Sequence, residues 1–454
     1  MKTKEENLNM SRRISAEVAA AGGRAYYVGG FVRDRVMGKE KEAADIDIEV
    51  HGIAPDTLHA ILDGLGGVMT VGESFGIYSL RSYGIDVAMP RLETATGRGH
   101  RDFETFVDPF IGPEKAAMRR DFTCNALMED VLSGEILDYF GGLEDIKNKI
   151  LRHVSGRSFP EDPLRVLRAA QFSARLGFAV APETTELCRR IPLDTLSAER
   201  VEGELKKALL QAERPSVFFA VLRACGQLGT WFPEAETLIG VGQNPRFHAE
   251  GDVWNHTMLV LDEAAKVRGK AKEPYYFMLS ALCHDFGKPA TTEVIDGVLH
   301  SYGHETVGVP VASQFVRRLS HEKKLTKYVE NMVLLHMQPC VLALQDASVK
   351  STNKLFDKSV LPHDLILVAL SDSHGMRHEY PYVDKEDWMW ERLRLYEELM
   401  AQPAVTGDDL IRAGLRPDGN FKEILSYAHK LHLAGIPKEN ALVQTLRYAE
   451  KLKN

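Results

Sequence analysis

The sequence predicts a mixed fold, in which an N-terminal α/β head with a small sheet is followed by an all-helical remainder. Before about residue 155, short β-rich runs alternate with helical stretches, which is typical of a small α/β domain. The runs lie at 25–28, 46–50, 77–80 and 85–89. After residue 155 such runs nearly vanish, and helical patterns dominate at 164–176, 198–210, 216–224 and 255–267.

Composition sets limits on the class of protein. The chain has 454 residues, 44% hydrophobic and 26% charged, as expected for a globular protein of roughly two to four domains. We expect a cytoplasmic protein with no membrane partner, because no apolar run is long enough to cross a bilayer and the first residues lack a signal-peptide core. The net charge of −8 argues against coating nucleic acid by charge alone, but the basic segment 152–175 supplies a local surface.

A glycine turn followed by two alternating carboxylates is the tightest chemical pattern in the chain. In a strand, Asp45 and Asp47 point to one face, and two neighbouring carboxylates favour divalent cations with oxygen ligands. The turn at Gly29 and Gly30 lets backbone amides approach a phosphate, and Arg33 adds a cation. The pattern therefore predicts metal-dependent nucleotidyl transfer.

A lone Asp-x-Asp is common on half-exposed strands, so the context decides its meaning. A third acid, Asp86, follows a predicted hairpin turn at 82–84, and a neighbouring strand would bring it beside the pair. Farther along, Arg119 and Arg120 stand at a predicted helix start. These additional residues favour a catalytic site over two surface aspartates on a half-exposed strand.

A helix predicted to begin at Asp162 carries a charged face. At about 100° per residue, Asp162, Arg165, Arg168 and Arg175 fall within one arc, although Phe172 intrudes on it. An acceptor and a donor on a rigid helix can read the edge of a base. A solvated helix face is the alternative interpretation.

These motifs together resemble the tRNA nucleotidyltransferases that complete tRNA 3′ ends, and their relatives the bacterial poly(A) polymerases. The resemblance covers four ordered segments, 29–47, 119–127, 138–145 and 161–168. It implies that magnesium is held at Asp45 and Asp47, with Asp86 assisting catalysis. It also implies a nucleotide site in which the triphosphate is held by arginines and the base is read by the Asp162–Arg165 pair; its residues are Gly30, Arg33, Arg120, Asp162, Arg165 and Arg168. The chain departs from the family at Gln171, where relatives commonly carry an arginine.

Residues 91–113 are rich in glycine, polar and charged residues, and we expect an exposed loop there. In the family that the chain resembles, a flexible loop at this place accompanies the switch from C to A addition. Arg91 and Glu93 match its opening. Its presence favours addition of the complete CCA.

Histidines and aspartates in the second half predict a separate metal site. His256, the adjacent His284 and Asp285, and Asp372 come from separate helical segments and can converge on a metal. This order resembles the HD phosphohydrolase superfamily, in which the module has phosphatase or cyclic phosphodiesterase activity. Mixed nitrogen and oxygen ligands favour a transition metal such as nickel, manganese or cobalt. Two further histidines would complete a two-metal site, namely His304 and His336.

We therefore expect four domains: a nucleotidyltransferase head (1–155), a helical neck for nucleotide selection and RNA binding (156–242), an HD metal-binding domain (243–400) and a C-terminal helical segment (401–454). The predicted activity is template-independent addition of CCA to tRNA from CTP and ATP. The alternatives are a CC-only or A-only enzyme, a poly(A) polymerase, or chiefly an HD phosphohydrolase with an RNA-binding head. The oligomeric state stays open.

Overall fold

The computed structural model describes residues 2–39, 46–65, 69–70, 77–80, 82–95, 103–246, 248–377 and 385–453. The chain divides into two compact units. The first unit comprises residues 1–208 and 217–231, and the second unit comprises residues 209–216 and 232–454.

The first unit contains a seven-stranded sheet in the order β3-β4-β5-β2-β1-β8-β9. Its strands are β1 (Arg24–Val28), β2 (Ile46–His51), β3 (Met69–Thr70), β4 (Ile77–Leu80), β5 (Ile85–Ala88), β8 (Met128–Asp130) and β9 (Ile136–Leu137). All neighbours are antiparallel except β2 and β5, which run parallel. The turn expected at 82–84 joins β4 to β5 and is confirmed.

The sheet buries one face against helices. Ile46 and Ile48 of β2 are fully buried, whereas Asp47 between them is exposed, as the period of two along a strand requires. The buried face packs in one core cluster with Ile14 of α1 and Leu58 of α3. The helices beside the sheet are α1 (Lys4–Ala20), α2 (Gly30–Val36), α3 (Pro55–Gly64), α4 (Pro113–Ala117) and α5 (Gly142–Asn148).

Residues 91–95 and 103–107 form two antiparallel strands, which corrects the expectation of a loop without secondary structure. β6 (Arg91–Ala95) pairs with β7 (Phe103–Val107), and Ala95 lies opposite Phe103. Residues 96–102, the centre of the predicted loop, lie outside the described residues, and residues 108–112 lead without a helix or strand into α4.

Helices dominate the chain after residue 155, and the predicted mixed fold is confirmed. They are α6 (Leu164–Leu176), α7 (Pro182–Arg189), α8 (Ala198–Gln211), α9 (Ser216–Ala224) and α10 (Leu228–Trp231). A two-residue parallel pair, β10 (Ile150–Leu151) with β11 (Ala179–Val180), lies beside α6 in sequence.

Among its described residues, the second unit is helical apart from one hairpin that the sequence interpretation missed, β12 (Glu293–Ile295) with β13 (Val298–His300). Its helices are α11 (Pro233–Glu236), α12 (Val253–Val267), α13 (Pro274–Cys283), α14 (Lys288–Thr291), α15 (His304–Leu319), α16 (Lys323–Leu335), α17 (Gln338–Leu344), α18 (Val349–Lys358), α19 (Pro362–Gly375), α20 (Glu386–Met400), α21 (Gly407–Arg412), α22 (Phe421–Leu433) and α23 (Lys438–Lys453). Within the described ranges, none of the helices combines the length and apolarity needed to cross a membrane.

Candidate functional sites

Two carboxylates meet on the open face of the sheet in the first unit. The parallel register of β2 and β5 places Asp47 directly opposite Asp86, so both side chains project from the same face. Both line a cavity of about 460 Å³. Asp45 lies outside the described residues.

Gly29 occupies a position that only glycine tolerates easily. It precedes α2 with φ of +68°, and a Cβ there would lie 3.2 Å from Arg120 NH1 and 3.8 Å from Asp47 Oδ2. The expected glycine turn is therefore packed against both a predicted metal ligand and a predicted phosphate contact.

Glu49 is a cavity residue that the sequence interpretation missed. It lies two residues beyond Asp47 on the same strand face and lines the same cavity. Arg120 donates a hydrogen bond to its carboxylate at 3.2 Å, and His51 lies 2.9 Å away on the other side. Burial raises the pKa of Glu49, but His51 and Arg120 outweigh burial and hold the pKa below its ordinary value. The signal was available, because Glu49 continues the alternation of Asp45 and Asp47.

Arg33 is nearly buried and belongs to a chain of polar contacts. Its NH1 donates to Asn125 Oδ1 at 2.7 Å, and Asn125 Nδ2 donates to Asp121 Oδ1 at 3.0 Å. Asp121 Oδ2 in turn accepts from Arg168 Nε at 2.7 Å. The contacts connect two predicted nucleotide-binding arginines through Asp121 and Asn125, whose roles the sequence interpretation did not assign.

The predicted base-reading pair lies at the start of α6, which begins at Leu164 rather than at Asp162. Asp162 precedes the helix, and both of its carboxylate oxygens accept from Arg200 NH2 at 2.9 Å. Arg165 donates at 2.7 Å to the carbonyl oxygens of Ser158 and Arg119. Backbone and side-chain partners thus fix both side chains.

Cations converge on a second cavity of the first unit, about 640 Å³ in volume. Phe172, which interrupts the charged face of α6, lies beneath three guanidinium groups at 5.0 to 5.8 Å from its ring centroid. Gln171 is buried, at 1% exposure. The lining includes the arginines 33, 119, 120, 165, 168, 175 and 200 together with Asp47 and Asp162. Such a cavity suits a polyanion held against a carboxylate-bound metal.

In the second unit, the six predicted metal ligands come together. His256 Nε2 lies 3.3 Å from His284 Nε2 and 3.0 Å from Asp372 Oδ1. His304 Nε2 lies 3.4 Å from His336 Nε2. The predicted ligands form two candidate groups, His256, His284 and Asp372 in one, and Asp285, His304 and His336 in the other; a third candidate group in the described residues, His248, Glu250 and His256, shares His256 with the first.

Anchored ring nitrogens explain why these histidines point inwards. Nδ1 of His284, His304 and His336 donates to the carbonyl oxygens of Ala281, Ser301 and Val333 respectively, at 2.7 to 2.8 Å. The lone pair is then at Nε2, the atom that converges on the other rings. This is the tautomer that metal-binding histidines adopt.

Asp285 joins the two ligand groups. Its Oδ2 lies 3.2 Å from His284 Nε2, and its Oδ1 lies 3.4 Å from His304 Nε2. One oxygen therefore faces each group, which is the geometry of a carboxylate that bridges two cations. Lys288 Nζ lies 2.7 Å from Oδ2 and lines the cavity of about 290 Å³ above the ligands.

Two glycines allow the ligand-bearing helices to approach. A Cβ on Gly287 would lie 2.0 Å from the His304 carbonyl oxygen, and a Cβ on Gly375 would lie 2.5 Å from Val260 Cγ2. Both distances are shorter than any contact a real Cβ makes, so both positions require glycine. Gly287 brings α15 to Asp285, and Gly375 brings α19 to α12.

In the metal-free site, the pKa values of His256 and His336 are shifted in opposite directions. Burial lowers the pKa of His256, but Asp372 and Glu250 outweigh it and raise the pKa to about 9. Burial lowers the pKa of His336 to about 4. A cation that binds to His256 must therefore displace a proton.

Comparisons with known proteins show which family the chain is similar to. Residues 25–152 match the Poly A polymerase head domain. The chain is 34% identical over 421 residues to a "Multifunctional CCA protein" of Actinobacillus pleuropneumoniae (strain L20), covering 88% of this chain and 97% of that protein. It is 35% identical over 409 residues to the protein of the same description from Pasteurella multocida, covering 86% of this chain and 92% of the relative.

The fold is also similar to that of a solved structure. The Bacillus stearothermophilus CCA-adding enzyme, solved in complex with CTP, superposes with a TM-score of 0.68 at 21% identity. The match covers 100% of this chain and 99% of that chain. At this identity the likeness concerns the fold alone.

Proposed function

This chain belongs to the family of multifunctional CCA proteins, and from that premise we propose that Asp45, Asp47 and Asp86 form the metal site for its nucleotidyl transfer. The protein is a tRNA nucleotidyltransferase that adds CCA to the 3′ end of tRNA from CTP and ATP. Transfer by enzymes of this family depends on a metal ion. We propose that this metal is magnesium, because the ligand set consists of carboxylates.

The carboxylate pair carries this proposal. Asp47 and Asp86 face one cavity from adjacent strands, and two exposed acids at that spacing repel each other unless a cation lies between them. When bound, magnesium would lower the pKa of the attacking tRNA hydroxyl and neutralise charge on the leaving pyrophosphate. The role of the protein is to fix where the cation and the phosphates lie.

The charged residues around the carboxylates would bind two different parts of the nucleotide, the triphosphate and the base. Arg33 and Arg120 line the cavities beside Asp47 and would hold the triphosphate. Asp162 and Arg165 would present an acceptor and a donor to the base, which selects C or A without a template. Arg200 and backbone carbonyls hold that pair in place.

Incubation with tRNA that lacks its 3′ CCA, with magnesium, CTP and ATP, tests the assignment. Wild-type protein should add all three nucleotides. Asp47→Asn should lower incorporation by about 10²–10³-fold while tRNA affinity stays within twofold, because the charge lost acts on the transition state. Asp56→Asn, an exposed residue of α3, is the matched control and should be unaffected. Near-normal incorporation by Asp47→Asn at saturating magnesium would remove Asp47 from the site.

We further propose that the second unit is a metal-dependent phosphohydrolase of the HD type. The observation that favours it is the bridging geometry of Asp285 between two histidine groups. Nickel, manganese or cobalt fits these mixed ligands. Metal analysis and hydrolysis of a phosphomonoester by the full chain test it, with Asp285→Asn as the variant expected to lose metal and activity together.

The four-domain division, with boundaries near residues 155, 242 and 400, is kept as part of the proposal. Its support is the separation of the two sites, since all the proposed nucleotide contacts precede residue 169 and all the HD ligands follow residue 255. Limited proteolysis of the full chain tests these boundaries.

A further inference from the structure

One buried carboxylate of the second unit holds two histidines. Glu250 Oε1 accepts from Nδ1 of His256 at 3.0 Å and from Nδ1 of His248 at 2.8 Å. Glu250 Oε2 accepts from the backbone N–H of Arg377 at 2.9 Å, two residues beyond the end of α19. The Glu250 side chain is 3% exposed, so these donors fix a charge that water does not reach.

His248 faces the metal cavity although its sequence position suggests no role. It lines the cavity of about 290 Å³ together with Asp285, His304 and His336. Its ring packs edge to face on His256 at a centroid distance of 4.9 Å. His248 therefore lies beside the ligand groups.

The hydrogen bond to Glu250 determines what His248 can offer. Because Nδ1 carries the donated proton, the neutral ring has its lone pair at Nε2. Nε2 is then the acceptor atom of a ring that lines the cavity. A phosphate already has Lys288 and the proposed cations as partners, whereas an uncharged acceptor suits a donor group such as a hydroxyl.

We propose that His248 accepts a hydrogen bond at Nε2 from a hydroxyl of the substrate, so that this site takes phosphate esters of hydroxyl-bearing alcohols. Glu250 is the positioning residue, because it fixes the tautomer of His248 and of the ligand His256 at once. This inference rests on the proposed phosphohydrolase function and adds the residue that recognises the alcohol portion.

Binding of two phosphonates to the manganese-loaded full chain tests the proposal without turnover, since a C–P bond is not hydrolysed. Isopropylphosphonate lacks hydroxyls, and 1,3-dihydroxypropyl-2-phosphonate has two. By calorimetry, wild-type protein should bind the dihydroxy compound about tenfold more tightly, the effect of one added hydrogen bond in a cavity. The ratio is measured on one protein sample and does not depend on the active fraction.

His248→Ala should bind the two phosphonates equally and retain its full manganese content. The matched control is His300→Ala, which removes another histidine from the wall of the same cavity and should keep the preference. Glu250→Gln should give an intermediate preference, because the neutral amide no longer enforces the Nδ1–H tautomer.

Three outcomes would overturn the proposal. They are equal binding of the two phosphonates by wild-type protein, a preference retained in His248→Ala, and loss of one manganese ion per chain in His248→Ala, which would make His248 a ligand. Failure of the phosphohydrolase function has a different signature. A wild-type protein that shows the preference but hydrolyses neither glycerol 2-phosphate nor isopropyl phosphate supports the role of His248 and removes catalysis from the site.

Discussion

The carboxylate of Asp121 has four polar contacts within the first unit. Its Oδ1 accepts from the backbone N–H of Phe122 and from Asn125, and its Oδ2 accepts from two nitrogens of Arg168. Through Asn125 it also restrains Arg33. Burial raises the pKa of Asp121, but Arg168 and these hydrogen bonds outweigh burial and lower the pKa below its ordinary value.

A pH-dependent contribution to stability follows from that shift. Since the folded pKa lies below the unfolded value of about 3.9, the contribution is fully present at neutral pH and is lost as pH falls from about 5. Asp121→Asn should lower the melting temperature at pH 7, and the difference from wild type should shrink below about pH 5. Asp194→Asn, an exposed residue of the same unit, is the control. A difference that stays constant down to about pH 2 would contradict the role of the charge.

Helix α8 supplies a residue to the site at the start of α6. Arg200 of α8 contacts Asp162, which lies 38 positions earlier in the chain and precedes α6. Arg200 donates a charge-assisted hydrogen bond to each carboxylate oxygen of Asp162. The orientation of the base-reading acid therefore depends on a neighbouring helix.

Arg200→Ala should reduce the preference for C and A over U and G by about tenfold, because Asp162 loses the partner that orients it. Triphosphate affinity should fall less, since the lost contact is on the base side. Single-nucleotide incorporation with each of the four triphosphates measures both effects. Arg190→Ala removes an exposed arginine of the same unit and serves as the control. Full selectivity in Arg200→Ala would show that Asp162 needs no such support.

The register between β6 and β7 shows how the segment between them can be shortened. Because Ala95 lies opposite Phe103, a two-residue Asn-Gly turn can replace residues 96–102 without breaking the register. This variant should still add CC but add the terminal A slowly, since the carboxylates and the base-reading helix are untouched. A Gly/Ser segment of the original length separates the effect of length from that of sequence. Product length on a sequencing gel is the readout, and unchanged A addition would contradict a role for the hairpin tip.

The sequence could predict the features that follow from local patterns, such as strand alternation and turns, but not the contacts that arise from packing between distant segments. Asp47 and Asp86 were placed together because strand alternation and a hairpin turn are local patterns, and the register confirms their adjacency. Arg200 could not be found in this way, because its partner Asp162 lies 38 positions away and is brought near by helix packing. Glu250 lies only two and six residues from His248 and His256, but no periodic pattern indicates these contacts. The pairing of 91–95 with 103–107 was missed because the sequence between them is rich in glycine, although Phe103-Glu104-Thr105-Phe106-Val107 has the composition of a strand.

The two proposed metal sites have ligand sets of different chemistry and lie in different compact units. The first set is carboxylates beside arginines, and the second is histidines around a shared aspartate. Oxygen ligands favour magnesium, whereas nitrogen ligands favour transition metals. The two activities should therefore respond to different metals.

Asp285→Ala should abolish phosphohydrolase activity in nickel, manganese or cobalt and leave CCA addition in magnesium within about twofold of wild type. The reason is that Asp285 supplies an oxygen to each histidine group, so that its loss removes a ligand from both proposed cations at once. Because Asp285 is fully buried next to Lys288, the truncation leaves a buried cation and can lower stability. Asp285→Asn keeps the shape and isolates the loss of charge, and the melting temperature of both variants, measured beside both activities, separates unfolding from loss of metal. Phosphohydrolase activity that survives in a folded Asp285→Ala protein would exclude the shared aspartate as the centre of that site.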